Sequence, residues 1–190
     1  MRRPCPFPHL VETLEIGALK LAPAVPLLVA ALLALAAPAL AVPRPGDVAP
    51  PFSLSTADGK TISNAALRGK PTYLNFFATW CGPCRVETPS IVALSKKYAA
   101  RGLHVVGVDV GENAGKAQGF AHDFDVPYVL AIDPEGTTRA TYGGGLYFPL
   151  HVFIDAKGIV RMYHPGEMSA RDIEAAIGRI TSAARSRLGR

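Results

Sequence analysis

Cysteine is scarce in this chain of 190 residues, which contains only Cys5, Cys81 and Cys84. Small secreted folds that depend on disulfides use several pairs at long spacing, so stabilisation by disulfides is a poor explanation for the cysteines of this chain. A structural zinc site needs about four ligands, and no paired spacing that would complete such a site is found among His104, His122, His151 and His164. We therefore predict neither a bound metal nor a cofactor.

Charge is also sparse, since 18% of the residues are charged and the formal net charge is +5. No basic run is interleaved with aromatic residues, the pattern typical of nucleic-acid binding, so we expect no nucleic-acid partner. Beyond the first 41 residues the composition is that of an ordinary globular protein. The remaining length of about 150 residues suits one domain.

Residues 1–41 have the features of an export leader. No charge occurs from Leu21 to Val42, basic residues precede this run, and Ala39-Leu40-Ala41 has the alternating small residues that a signal peptidase needs. We predict a signal peptide cleaved after Ala41, which would also remove Cys5. The apolar run is long enough, at about 20 residues, to span a bilayer, so a retained membrane anchor is the alternative. Both predict that the domain lies in the periplasm or at the extracytoplasmic face of the inner membrane.

The rest of the chain alternates between strand and helix patterns. Residues 42–51 are a proline-rich linker or an extended approach to a domain over 46–188. Residues 52–63 predict a hairpin around an Asp-Gly turn. The apolar runs over 72–78 and 103–110 predict strands buried on both faces, joined by a helix in a right-handed crossover that makes them parallel. Further predicted elements are a helical turn over 64–68, helices over 114–124 and 135–142, a strand over 128–132, a hairpin over 151–163 and a closing helix over 169–187, in which Ser169 and Asp172 have capping-box spacing.

The informative motif is Cys81-Gly82-Pro83-Cys84, which lies where a buried strand ends and a helix begins. Unpaired N–H groups and the helix dipole favour a negative charge there, so a thiol at that position ionises more easily than a free one. We predict that Cys81, at the exposed start of the helix, is the attacking thiolate and that Cys84 resolves the mixed disulfide. Pro83 suits the first helical turn, and Gly82 allows close approach by a partner. A metal half-site or a strained local disulfide is the alternative interpretation.

From about Gly46 to Ile180, the chain resembles the TlpA/ResA branch of the thioredoxin superfamily. The residues that carry the resemblance are Phe76-Phe-Ala-Thr-Trp-Cys-Gly-Pro-Cys84, Arg85-Val-Glu87-Thr-Pro89, Val105-Val-Gly-Val-Asp109, Phe148-Pro149 and Val152-Phe-Ile-Asp155-Ala-Lys-Gly158-Ile159. The resemblance implies an α/β, thioredoxin-like fold with an N-terminal β-hairpin and a central helix-plus-strand insertion between about Ala114 and Ile132. It also implies thiol–disulfide exchange.

The resemblance assigns roles to residues around the cysteines. Pro149 corresponds to the family's cis-proline that faces them, and backbone groups at Phe148 would pair with an extended substrate segment. Glu87, one turn after Cys84, matches an acidic position of this branch and could take the proton of Cys84 as a general base. A solvated carboxylate in the first helical turn is the alternative for Glu87. Trp80 either shields the active site or packs in the core.

Two further positions stand out against related proteins. Asn75 lies where ordinary thioredoxins have a buried Asp, and an Asn side chain does not titrate. Leu150 and His151 follow Pro149 where the family often has two threonines. Strand alternation puts His151 on the same side as Pro149, so His151 either packs beside the strand or tunes the thiolate.

The resemblance also implies partners. Family members mostly act as exported reductants that receive electrons from a membrane thiol transporter, and their substrates include apocytochrome c and copper-site assembly proteins. We accordingly expect protein disulfide clients of these kinds and such a transporter as electron donor. The alternatives are a Cu(I)-binding metallochaperone, in which thiolates are suitable ligands and His164 is available, and a thiol peroxidase, whose motif Thr79-Trp80-Cys81 does not reproduce.

Overall fold

A computed structural model describes residues 42–143, 145 and 147–185. The strands are β1 Ser53–Thr56, β2 Thr61–Ser63, β3 Thr72–Phe77, β4 His104–Val110, β5 Val129–Asp133, β6 Leu150–Ile154 and β7 Val160–Pro165. The helices are α1 Gly82–Tyr98, α2 Ala114–Asp123, α3 Thr137–Thr141 and α4 Ala170–Arg185, with a 3-10 turn at Ala99–Arg101. Within these described ranges, no helix is both long and apolar enough to cross a bilayer. The leader predicted over residues 1–41 lies outside them.

The strands form one mixed seven-stranded sheet in the order β2-β1-β5-β4-β3-β6-β7. β3 is parallel to β4, and β4 is parallel to β5, so the predicted crossover through α1 does join parallel strands. The two predicted hairpins are β1–β2 and β6–β7, and both are antiparallel. The predicted α/β class is therefore confirmed, and the helix and strand expected between about residues 114 and 132 are α2 and β5.

β3 lies near the middle of the sheet, and all six of its residues are buried. Its side chains alternate between the two faces of the sheet. Tyr73 points to the face covered by α1 and α4, where it packs with Ile91, Tyr98, Phe153, Ile173 and Ile177. Leu74 and Phe76 point to the opposite face, where they pack with Phe52, Leu54, Tyr142 and Val152. Burial on both faces explains why this strand is a continuous apolar run rather than an alternating one.

The segment before β1 lies against the β7 side of the domain. The backbone N–H of Gly46 donates to the Val160 carbonyl at 2.8 Å, and the Val160 N–H donates to the Asp47 carbonyl at 2.9 Å. The Ala49 N–H donates to the Gly158 carbonyl at 2.9 Å. Residues 46–49, which begin in a turn at Gly46, are thus hydrogen-bonded to the domain.

Three local predictions can be compared with the observed elements. The closing helix has the predicted cap, since the Asp172 N–H donates to Ser169 Oγ at 3.2 Å. The helix predicted over 135–142 is shorter, because the Asp133 carboxylate binds the N–H groups of Thr138 and Arg139 and thereby fixes a late start. The predicted helical turn over 64–68 is a series of hydrogen-bonded turns instead of a helix.

Candidate active site

Cys81 and Cys84 form a disulfide at the N-terminus of α1. Cys81 is the N-cap residue, and its Sγ accepts a hydrogen bond of 3.2 Å from the backbone N–H of Cys84. Pro83 lies in the first turn, as predicted, where a missing N–H leaves no helical hydrogen bond unmade. A backbone donor of the first turn is therefore directed at the Cys81 sulfur, the arrangement that stabilises a thiolate.

The prediction that Cys81 is exposed is wrong for the disulfide form. Cys81 is 4% exposed and Cys84 is 3% exposed. Both are covered because they pack in an apolar cluster with Phe77, Ala117, Phe120, Leu130 and Ile132. Exposure consequently does not distinguish the two sulfurs, whereas their positions relative to the helix N-terminus do.

The loop before β6 lies beside the disulfide. Its Phe148–Pro149 peptide bond is cis, as the resemblance implied, and Phe148 packs against the cluster that contains both cysteines. Trp80 is 69% exposed and meets the Phe148 ring edge-on, with ring centroids 5.9 Å apart. Trp80 is therefore a surface residue next to this loop, which removes the core-packing alternative.

Glu87 lies on α1 one turn after Cys84 and is only 7% exposed. One oxygen, Oε1, accepts a hydrogen bond of 2.6 Å from the Met168 N–H. Burial raises the pKa of Glu87 to about 7; the Met168 hydrogen bond acts to lower it, and the charge of Glu167 adds to the rise. These observations contradict the alternative of a solvated carboxylate.

His151 is fully buried, and the sheet register places it beside Asn75. Its Nδ1 lies 2.7 Å from the Tyr73 hydroxyl and 3.4 Å from Asn75 Nδ2, and its Nε2 lies 3.4 Å from Glu87 Oε2. Burial, together with nearby His164, lowers the pKa of His151 to about 3. The structure thus brings Glu87 and His151 together. Sequence reasoning did not identify Tyr73 as a site residue, because in the sequence it is one of several aromatic residues in a predicted buried strand.

Comparison with known proteins identifies the family. Residues 44–177 match the Redoxin family model. The chain is 32% identical to the thiol–disulfide oxidoreductase ResA of Bacillus thuringiensis subsp. konkukian over 136 residues, which cover 72% of this chain and 78% of ResA. This chain belongs to the Redoxin family and is a thiol–disulfide oxidoreductase.

Two further relatives of this oxidoreductase agree with that assignment. The thioredoxin-like protein YneN of Bacillus subtilis is 36% identical over 132 residues, covering 68% of this chain and 76% of YneN. The crystal structure of a thioredoxin-family thiol:disulfide interchange protein from Chlorobium tepidum superposes with a TM-score of 0.65 at 36% identity. That match covers 74% of this chain and 99% of the other. The predicted thioredoxin-like fold is therefore confirmed.

Glu112 holds the loop that leads to the disulfide-bonded Cys81 and Cys84 of this oxidoreductase. Its Oε2 accepts a hydrogen bond of 2.6 Å from the Thr79 N–H, and its Oε1 accepts one of 2.9 Å from the Thr79 hydroxyl. From the other side, Arg85 donates to the Thr79 carbonyl at 3.3 Å. Sequence reasoning missed Glu112, although one signal was available. It follows β4, and neighbouring parallel strands end at the same edge of a sheet.

Arg139 supports the cis-proline loop of the oxidoreductase and was also missed. This buried side chain donates from Nη2 to the carbonyls of Gly145 and Tyr147, at 2.9 and 2.8 Å. Its guanidinium carbon lies 5.6 Å from the centre of the Phe148 ring, within range of a cation–π contact. A single arginine in a short helix has no pattern that would have revealed this role.

His164, which the copper-binding alternative would use, contacts other parts of the chain. Its Nε2 lies 3.1 Å from the Glu167 carbonyl oxygen, and its ring centroid is 6.2 Å from that of His151. In the part of the chain that the structure describes, no group of three or more His, Cys, Asp or Glu side chains is arranged to hold a metal ion. Copper binding therefore stays a hypothesis for titration of the reduced protein.

Proposed function

We propose that this oxidoreductase is an exported reductase of protein disulfides, serving cytochrome c maturation or metalloprotein assembly. The observation that carries the proposed mechanism is the Cys81 sulfur at the N-cap of α1, with the Cys84 N–H directed at it. The Cys-Gly-Pro-Cys motif, which reducing thioredoxins share, supports the reducing direction. The charge-free run before residue 42 supports export.

The proposed reaction transfers two electrons from the cysteine pair to a client disulfide. The Cys81 thiolate attacks one client sulfur, so that the client S–S bond breaks, a mixed disulfide forms and the other client sulfur leaves as a thiolate. The Cys84 thiolate then attacks Cys81 Sγ, which breaks the mixed disulfide and releases the second client thiolate. The pair is left as the Cys81–Cys84 disulfide described above, and a membrane thiol-electron transporter would restore the dithiol.

Glu87 is the proposed general base for the second step. Its position one turn after Cys84 supports this role. Its burial supports it too, because burial raises the pKa of the carboxyl group and a base works best when its pKa lies near the working pH. The raised pKa of Glu87, about 7, meets that condition. The carboxylate would accept the Cys84 proton and so generate the resolving thiolate.

The client would dock on the surface around the Cys81 sulfur. Trp80 and Phe148 meet there, with Trp80 largely exposed, and an apolar aromatic side chain next to a reactive sulfur is suited to a protein partner. Gly82 leaves open space beside the motif, since a Cβ there would meet no atom within 4 Å. Pro149 and the backbone of Phe148 would align an extended client segment.

Trapping with Cys84→Ser tests the roles of the two cysteines and identifies the client. This variant keeps the attacking thiol but lacks the resolving one, so it should accumulate a mixed disulfide at Cys81 that mass spectrometry can identify. Cys81→Ser is the matched control and should trap no more than background. Equal trapping by both variants, or trapping by Cys81→Ser alone, would contradict the proposed order of attack.

The reduction potential of the Cys81–Cys84 pair tests the direction. Equilibration with a thiol redox buffer should give a value near that of thioredoxin, about −270 mV, and well below that of DsbA, about −120 mV. A value near the DsbA end would make the protein an oxidant of its clients. In that case the reductase assignment fails even if trapping succeeds.

A further inference from the structure

Two polar side chains, Tyr73 and Asn75, converge on one ring nitrogen of His151. The Tyr73 hydroxyl lies 2.7 Å from Nδ1, and the Asn75 side-chain nitrogen lies 3.4 Å from the same atom. Burial raises the pKa of Tyr73 well above its ordinary value, so its hydroxyl keeps the hydrogen. A hydroxyl with its hydrogen can accept as well as donate, whereas the Asn75 amide nitrogen can only donate. Asn75 therefore favours Nδ1 as the acceptor of the neutral ring and the ring hydrogen on Nε2, and the Tyr73 hydroxyl then donates to Nδ1 as well.

The other ring nitrogen faces the carboxyl group of Glu87. His151 Nε2 and Glu87 Oε2 lie 3.4 Å apart, and both atoms are buried. Neither atom has a hydrogen-bond partner among the described residues. The separation slightly exceeds the usual N–H···O range of about 2.7–3.2 Å, so the two atoms must approach each other slightly to complete the bond. Leaving two buried polar atoms unpaired is unfavourable, which favours that approach once Glu87 is ionised.

We propose that His151 is a positioning residue for thiol–disulfide exchange: its Nε2–H stabilises the carboxylate of Glu87, and the Tyr73 hydroxyl fixes the tautomer that makes this possible. The expected effect on the rate of exchange rests on the proposed role of Glu87 as the general base. The hydrogen bond from His151 to Glu87 does not depend on that role. It gives the departure at position 151 a function, because the imidazole places Nε2 at 3.4 Å from Glu87 Oε2, and a side chain without a hydrogen-bond donor there cannot donate to Glu87.

Side chains from several elements face His151 and Glu87. Tyr73 and Asn75 come from β3, His164 comes from β7, and Glu167 lies in the segment between β7 and α4. Tyr128 lies before β5 and acts on Tyr73, while the backbone of Gly166 acts on His151 in the direction of a higher pKa. Of these, Glu167 opposes ionisation of Glu87 through charge repulsion, whereas Nε2–H favours it through a hydrogen bond.

The test is an NMR titration of the Glu87 side-chain carboxyl in the folded protein. In His151→Leu, which removes the donor, the pKa of Glu87 should rise by about one unit, a tenfold change in the ionisation constant. His151→Gln offers an amide N–H in its place and should restore most of the wild-type value. The ring nitrogen shifts of wild-type His151 should show hydrogen on Nε2 and none on Nδ1. Hydrogen on Nδ1, or identical Glu87 titrations in wild type and His151→Leu, would overturn the proposal.

A second variant keeps the test open if His151→Leu does not fold. Tyr73→Phe removes one donor to Nδ1 and leaves the rest of the ring, so it should shift the His151 population toward the Nδ1–H tautomer and raise the pKa of Glu87 in the same direction. Retention of the Nε2–H tautomer together with an unchanged Glu87 titration in Tyr73→Phe would contradict the role given to the hydroxyl.

Kinetics separate this inference from the proposed function. If Glu87 is the base, the pH profile of disulfide exchange should move with the Glu87 titration in His151→Leu, and the shift should vanish when Glu87→Gln is added. If the Glu87 titration moves in His151→Leu but the pH profile of disulfide exchange is the same in Glu87→Gln and wild type, His151 does stabilise Glu87 and the general-base role fails. If the profile depends on Glu87 but neither measurement responds to His151→Leu, the base role stands and the inference about His151 fails.

Discussion

Glu87 shows how one side chain acquires its chemistry from distant parts of the chain. Burial alone would keep the carboxyl group protonated, and the single hydrogen bond from Met168 compensates only in part, so the pKa rises to about 7. Met168 lies 81 residues further along the chain. A carboxyl group with such a pKa changes its charge in the range where thiol exchange takes place.

Replacing Glu87 with Gln should remove an ionisation near pH 7 from the resolving step and slow that step by about 100-fold, the lower end of what a general base contributes. The step can be followed by stopped flow through the fluorescence of Trp80, which is the single tryptophan and lies next to Cys81. Exposed Glu167 provides the control. Glu167→Gln should keep the ionisation and move it slightly downward, because it removes a repulsive charge near Glu87. An unchanged profile in Glu87→Gln would contradict the base role.

At this scale the sequence was sufficient to place the two cysteines and Glu87 on one helix, and insufficient to predict which side chains surround them. Cys81, Cys84 and Glu87 have a fixed spacing on one helix, so their relation follows from helical geometry. Tyr73 and His151 come together only through the pairing of β3 with β6, and such a contact between distant residues has no local signal.

At the scale of elements, the site is an assembly of loop ends held by side chains from neighbouring elements. Glu112, just after β4, binds Thr79 just after β3. Arg139, on α3, binds carbonyls of the loop before β6. The strand and helix patterns were predicted well, because long apolar runs report burial directly. The loops were not, because their conformations depend on these two polar side chains.

Removal of the Glu112 carboxyl group should loosen the loop before Cys81. Two hydrogen bonds to a carboxylate are lost in Glu112→Ala, and because bonds to a charged group contribute about 1.5–3 kcal/mol each when buried, we expect a loss of about 2 kcal/mol for this partly buried pair. Urea unfolding measures the change. Glu135→Ala removes an exposed carboxyl group and should stay within about 0.5 kcal/mol of wild type. A Glu112→Ala protein as stable as that control would show that the Thr79 contacts contribute little.

At the scale of the whole molecule, a buried acid opposes folding at high pH. Asp109 is fully buried, and neither of its oxygens has a hydrogen-bond partner within the described residues. Burial, with a further contribution from nearby Glu112, raises the pKa of Asp109 from 3.8 to about 8. The folded protein therefore holds a proton on Asp109 that the unfolded chain releases. The contribution of Asp109 to the free energy of unfolding is thus most favourable below about pH 4. It declines as the pH rises to about 8.

Asp109→Asn should remove this decline. The difference in free energy of unfolding between Asp109→Asn and wild type should grow in favour of the variant from pH 5 to pH 8, by an amount on the order of a few kcal/mol. Chemical denaturation at each pH gives the values. Glu135→Gln, at an exposed position, should show no such trend. A difference that stays constant with pH would mean that Asp109 ionises normally in the folded protein.

The cluster around the two cysteines also has a consequence for a chain that is synthesised N-terminus first. Cys81 and Cys84 emerge early, but the side chains that cover them, from Ala117 to Ile132 and at Phe148, come 33 to 67 residues after them. Until that later stretch has emerged, nothing from it can shield the two sulfurs, so a nascent chain presents both thiols to whatever oxidant or thiol reagent surrounds it. Both thiols are thus open to oxidation before the cluster that covers them in the folded protein can form.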